Sequence, residues 1–155
     1  VAAAKLRKPG DHPVDYDGPE IGAEQKEAYP DIEAVVTNIP KDKAFAAANQ
    51  VVSSMGLEII DTNPGEGRIE AVETSLLYGF KDDMVVLVQE TPAGTRIDVR
   101  SMSRVGRSDL GMNAKRIRTF LARLRSNLRA VEAASLSSLS TYQTDGISRY
   151  RTLSV

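Results

Sequence analysis

The sequence predicts an α+β domain: an antiparallel sheet of four to five strands with two covering helices, in the order β-α-β-β-β-β-α. Three observations carry this. From Arg96 to Val105 the side chains alternate, with Ile97, Val99, Ser101, Ser103 and Val105 on one side and Arg96, Asp98, Arg100, Met102 and Arg104 on the other. That period of two belongs to a half-buried strand. Next, Ile117, Phe120, Leu121, Leu124 and Leu128 recur at spacings of three and four, which places them on one stripe of a helix. Finally, Asn63-Pro-Gly-Glu-Gly67 and Thr91-Pro-Ala-Gly94 are turn signals of hairpin length between β-prone runs. With 155 residues the chain can bury one core.

The elements follow in order. Residues 1–28 are an extended lead-in, rich in Pro, Gly and Asp at first, and Glu20 to Ala28 can make one or two polar helical turns. Pro30 ends them, because the residue before proline avoids the α region. The domain proper spans 29–130. Ile32 to Thr37 reads as a short strand, and Pro40 opens a helix at a first-turn position. Phe45, Ala48, Val52 and Met55 form its predicted buried stripe, with Gly56 as a left-handed stop. Leu57 to Thr62 and Arg68 to Thr74 make a hairpin, and Met84 to Gln89, apolar on both faces, is a central strand. The arginine-bearing strand comes next, then a Gly-Arg-Ser-Asp turn with Ser108 or Asp109 as N-cap of the last helix. Burying Ile117, Phe120, Leu121 and Leu124 contributes about 6–12 kcal/mol before entropy, so the sheet holds this helix. Residues 131–155 read as a Ser-rich tail without a helical stripe. The order is similar to helix-grip and TATA-binding-protein-like folds, an architectural analogy that carries no function.

The composition excludes several chemistries. Lys+Arg 20 against Asp+Glu 21 gives no net pull toward nucleic acid, and no aromatic residues interleave with the arginines as single-strand stacking would need. Cysteine is absent and His12 is the only histidine, which argues against thiol chemistry, histidine acid–base catalysis and zinc sites. No catalytic residue, metal site or cofactor is predicted. Charge is uneven, however. The bases crowd into residues 96–129, and most of the acids precede them.

Arg100, Arg104, Arg107, Ser108, Asp109, Asn113 and Arg116 are the candidate anion- or partner-binding residues at the strand-to-helix corner. Guanidinium forks beside a helix N-terminus can hold a phosphate or carboxylate. The preferred reading is an internal network: Arg104 or Arg107 with Asp109, and Arg100 with Asp82 or Asp83. Asp82 and Asp83 themselves read as turn-forming acids, and Glu70 and Glu73 as cross-strand partners of Arg68 or Arg96. Tyr29-Pro30-Asp31-Ile32 and Tyr78-Gly79-Phe80 are either docking patches or lids over the core. In the tail, Tyr142, Arg149, Tyr150 and Arg151 are candidates for docking a partner.

These motifs carry a resemblance. Gly79, Phe80, Asp82 and Asp83 before a hydrophobic strand, then Asp98 to Ser101, Ser103, Arg104, Gly106, Ser108 to Gly111, Asn113, Arg116 and Ile117, resemble the signature of the domain-of-unknown-function family numbered 1499. The likeness extends upstream through AYPDIEAV to Pro9-Gly10 and onward to about Leu128. It implies no activity. Bacterial relatives of this type often carry hydrophobic spans ahead of such a domain. The resemblance therefore implies a domain on the periplasmic side of the inner membrane, with cytoplasm as the alternative and an anchor absent from this chain. The expected function is a non-catalytic envelope domain docking on an integral membrane-protein complex as an accessory or scaffold subunit. A module binding a small molecule or anion at the arginine corner is the alternative, and a hydrolase-type enzyme ranks last.

Overall fold

The computed structural model describes residues 2–6, 27–75, 79–105 and 111–149, with the backbone alone for Ala3, Ala4 and residues 138–149. In chain order the elements are α1 (Ala2–Lys5), β1 (Val35–Thr37), α2 (Lys41–Ser54), β2 (Glu58–Asn63), β3 (Arg68–Thr74), β4 (Lys81–Thr91), β5 (Gly94–Ser103) and α3 (Met112–Arg149). The five strands form one antiparallel sheet in the order β1-β5-β4-β3-β2. The last four strands are the expected meander, and β1 returns to flank β5 at the opposite edge.

Side-chain parity divides the sheet into two faces. Ile69 and Ala71 of β3, Met84, Val86 and Val88 of β4, and Ile97 of β5 turn inward against Phe120, Leu121, Leu124 and Leu128 of α3. From α2 the buried face is Ala44, Ala47, Ala48, Val51 and Val52. That face is rotated from the predicted stripe, and Phe45 and Met55 lie at its margin, partly buried. The small alanines allow close approach, so the larger side chains fall to the edge. Pro40 is the residue before the helix rather than its first turn, while Gly56 stops it at φ +77° as expected. At Gly67, φ is +74° and a Cβ would overlap the Val88 carbonyl oxygen. That position requires glycine.

The other face of the sheet is crossed by α1, which touches β2 and β3. Leu6, just after it, accepts a hydrogen bond on its carbonyl from Arg104 Nη1 at 3.1 Å. The predicted N-cap of α3 needs correction. The helix begins at Met112, with the Gly111 carbonyl accepting the first bond from Lys115 N–H at 2.9 Å. Ser108 and Asp109 therefore precede the cap position, and they lie outside the described residues.

The end of α3 also differs from expectation. The apolar stripe runs one turn past Leu128 to Val131, which packs against the core, and the backbone stays helical through the Ser-rich stretch to Arg149. Serine and threonine cost only a few tenths of a kcal/mol each in a helix, about 0.7 at most. A helix nucleated on the core therefore continues through them, and low apolar content alone does not end it. Thirty-eight residues span about 57 Å, against about 37 Å for the longest strand, β4. Roughly the last third of α3 overhangs the sheet. Among the side chains described there, Glu132, Ala133, Ala134, Leu136 and Ser137 are exposed.

Candidate functional site

Polar residues concentrate where β3, β4 and β5 end nearest the start of α3, and the sheet divides them into two clusters. On the helix-facing side, Glu73 of β3 stands directly opposite Asp82 of β4. Two facing carboxylates repel, and Arg116 of α3 lies between them. Its Nε donates to Glu73 Oε2 at 2.6 Å, and its Nη2 donates to Asp82 Oδ2 at 2.6 Å and also pairs with Glu73. The remaining nitrogen, Nη1, donates to Ser101 Oγ at 2.7 Å and Asn113 Oδ1 at 2.6 Å. All five guanidinium N–H groups thus have acceptors. Ser101 in turn donates to Asn113 Oδ1 at 2.7 Å, and Asn113 Nδ2 donates to Ser103 Oγ at 3.2 Å. Asn113 and Arg116, one helical turn apart, bolt the start of α3 to three strands.

On the outer side, Asp83 and Arg104 form a buried pair. Arg104 Nη2 donates to Asp83 Oδ1 at 2.6 Å, and Nε donates to both carboxylate oxygens at 3.0 and 3.1 Å. Both side chains are 4 % exposed. Asp82 and Asp83 are therefore strand residues, and the turn expected of them lies earlier, around Ser75 and Gly79. The expected partners change too: Asp83 pairs with Arg104 and Asp82 with Arg116, while Glu73 serves Arg116 in place of Arg68 or Arg96. Glu70, fully buried, pairs with Arg68 two residues earlier on the same face of its strand. Arg68 also holds Asp61 at 2.9 Å and Glu66 at 3.0 Å, and its pKa rises chiefly through the Asp61 hydrogen bond, then that of Glu66.

The candidate corner residues accordingly separate. Asn113 and Arg116 meet on the helix side, Arg104 sits across the sheet, and Arg100 is exposed on that outer face of β5. Strand parity already separates Arg100 and Arg104 from anything packed beneath α3. Arg107, Ser108 and Asp109 lie outside the described residues, as do Tyr150 and Arg151. Tyr142 and Arg149 fall on the backbone-only part of α3. Sequence reasoning missed Glu73, Asp82 and Ser101 as partners of Arg116. The available signal was parity alone: in a strand extended back to Lys81, Asp82 shares the side of Met84, Val86 and Val88.

Two exposed ion pairs complete the electrostatics. Arg96 grips Asp98 through two bonds of 2.7 Å, and this hydrogen bonding raises the Arg96 pKa. Arg118 holds Asp31 at 2.6 and 2.8 Å and lies 5.5 Å from the ring centroid of Tyr29. Arg118 lowers the Asp31 pKa chiefly through that hydrogen bond. Tyr29 thus clasps α3, with Ile32 packed against the core, and this segment is a lid. Phe80 is 55 % exposed, so it lids nothing. Among the described residues, no three side chains of ligating type come together to hold a metal.

A family model described as "Protein of unknown function (DUF1499)" matches residues 13–124, more than half of the chain. The chain belongs to the DUF1499 family. Both arginine clusters fall inside the span shared with DUF1499, and the overhang of α3 falls beyond it. None of the curated proteins matches the chain.

Proposed function

We propose that this DUF1499 domain is a non-catalytic component of the cell envelope, on the periplasmic side of the inner membrane, that docks on an integral membrane-protein complex as an accessory or scaffold subunit. The observation that carries this reading is the overhang of α3. Past Val131 the helix runs on for 18 residues, about 27 Å, and among the side chains described there none joins the core. An isolated helix of that length is marginal in water, and packing against a partner supplies what it lacks. The corner arginines favour this reading over the anion-binding alternative, since Arg116 has an acceptor for every N–H and Arg104 is paired with Asp83. Among the described residues no helix is long and apolar enough to cross a membrane.

The test is affinity purification of the full-length protein from detergent-solubilised membranes, with and without residues 135–155. The expected result is an integral membrane protein recovered in stoichiometric amount only with the tail present, whose complex re-forms from purified components. Recovery of no such tail-dependent companion overturns the reading.

A further inference from the structure

Large apolar side chains left in solvent are few, and their distribution is uneven. Among the described residues six are exposed: Leu6 at 51 %, Val36 at 51 %, Phe80 at 55 %, Val105 at 52 %, Met112 at 50 % and Leu136 at 68 %. Four of the six gather at one end of the molecule. Arg104 N–H donates to the Lys81 carbonyl at 3.0 Å, one rung beyond the Asp82–Ser103 pairing, so Phe80 and Val105 flank the last rung of the β4–β5 ladder. The bond from Asn113 to Ser103 brings Met112 to the same place from the helix layer. On the opposite face, the bond from Arg104 to the Leu6 carbonyl brings Leu6 there. Four separate segments thus each contribute one apolar side chain to one tip.

The charge around this tip is one-sided. Its described acids are each paired, Glu73 and Asp82 with Arg116 and Asp83 with Arg104, and of the three only Glu73 reaches well into solvent. Among the described residues, its exposed charges outside those pairs are lysines: Lys5 beside Leu6, Lys81 beside Phe80, and Lys115 one turn along from Met112. Among the described residues none of these lysines is in an ion pair. Apolar side chains surrounded by lysines suit the boundary of an anionic bilayer, where the apolar groups reach the acyl region and the ammonium groups meet lipid phosphate and carboxylate. A protein partner of ordinary composition explains the apolar groups, but it gives no reason for the surplus of lysines among the described charges of the rim. We propose that this tip (Leu6, Phe80, Val105 and Met112, ringed by Lys5, Lys81 and Lys115) is a peripheral contact with the surface of an anionic membrane. The two arginine clusters behind it hold the segments rigidly, so the contact is preformed. This inference stands apart from the docking of α3 on a protein.

The chain has no tryptophan, so Phe80→Trp installs a single reporter. The expected result is a blue shift on adding phosphatidylcholine vesicles containing roughly one-third phosphatidylserine, little shift with pure phosphatidylcholine, and weakening by salt. Sedimentation of the unsubstituted full chain with the same vesicles should match. Replacing Leu6, Phe80, Val105 and Met112 together by Ser should lower vesicle partitioning at least roughly tenfold, with the melting curve preserved because these side chains are half exposed. Replacing the three lysines by Ser should abolish the preference for anionic lipid. Absence of vesicle binding, or binding unchanged in both sets of variants, overturns the proposal. So does a concentration-dependent dimer that the four apolar substitutions abolish, since that assigns the tip to a second copy of the chain. No protein partner is present in these assays, so failure here leaves the docking of α3 untouched.

Discussion

Arg104 is the residue whose loss is predicted to cost most for its size. Arg104→Ala leaves the Asp83 carboxylate, 4 % exposed, without its charge partner, and an orphaned buried charge costs about 3–5 kcal/mol. Urea denaturation measures it. Replacing both partners together by apolar residues should recover much of the loss, because the cost lies in the stranded charge more than in the missing bond. Arg116→Ala strands two acids, Glu73 and Asp82, face to face. Its predicted cost is about 3 kcal/mol, at the lower end of that range because Glu73 is 47 % exposed. Adding Glu73→Gln should restore part of it; no rescue means that Arg116 acts by packing alone. At the surface, Asp31 answers to pH. Its carboxyl is held below its ordinary value of 3.8 by Arg118, so its contribution is fully present above that value and disappears as pH falls through the lowered one. Melting temperatures of the native protein and Asp31→Asn should differ at neutral pH and converge in strong acid.

At the scale of elements, the turns and the central helix are the places to intervene. Gly67→Ala must displace the Val88 carbonyl or abandon a φ of +74°, and a loss beyond about 1 kcal/mol is expected from thermal unfolding. Leu124→Ala empties a fully buried site between α3 and the sheet, at about 2–5 kcal/mol. The strands and helices themselves were readable because burial is one-sided and leaves a period in the sequence. The run 96–104 announces β5, and Phe120, Leu121, Leu124 and Leu128 announce α3. What was not readable had other causes. The acids Asp82 and Asp83 look like a turn because the polar start of β4 has no apolar alternation to mark it. Partners of Arg116 come from residues 43, 34 and 15 positions away, and no local pattern records such distances. The continuation of α3 past Val131 is invisible to a search for stripes, since the Ser-rich residues that follow have no apolar period.

For the whole molecule, the core and the overhang of α3 are separable. Shortening the chain to end at Ser137 keeps every described side chain of the core, so its unfolding midpoint should stay within about 1 °C of the full chain. Ending it instead at Leu124 loses Leu128 and Val131 from the core and should unfold several degrees earlier, as about 4–8 °C per kcal/mol holds for domains near this size. The adjacent acids of β4 also bear on how the chain avoids a wrong fold. They stand between Lys81 and Met84, with one acid serving each layer. If β4 slipped by one residue in one direction, Arg104 would meet the thioether of Met84. A slip in the other direction would put the ammonium of Lys81 against Arg116. Either misregistered sheet would also turn Met84, Val86 and Val88 away from the helices. Two neighbouring carboxylates thereby act as a vernier, and the strand has only one setting at which both arginines are neutralised.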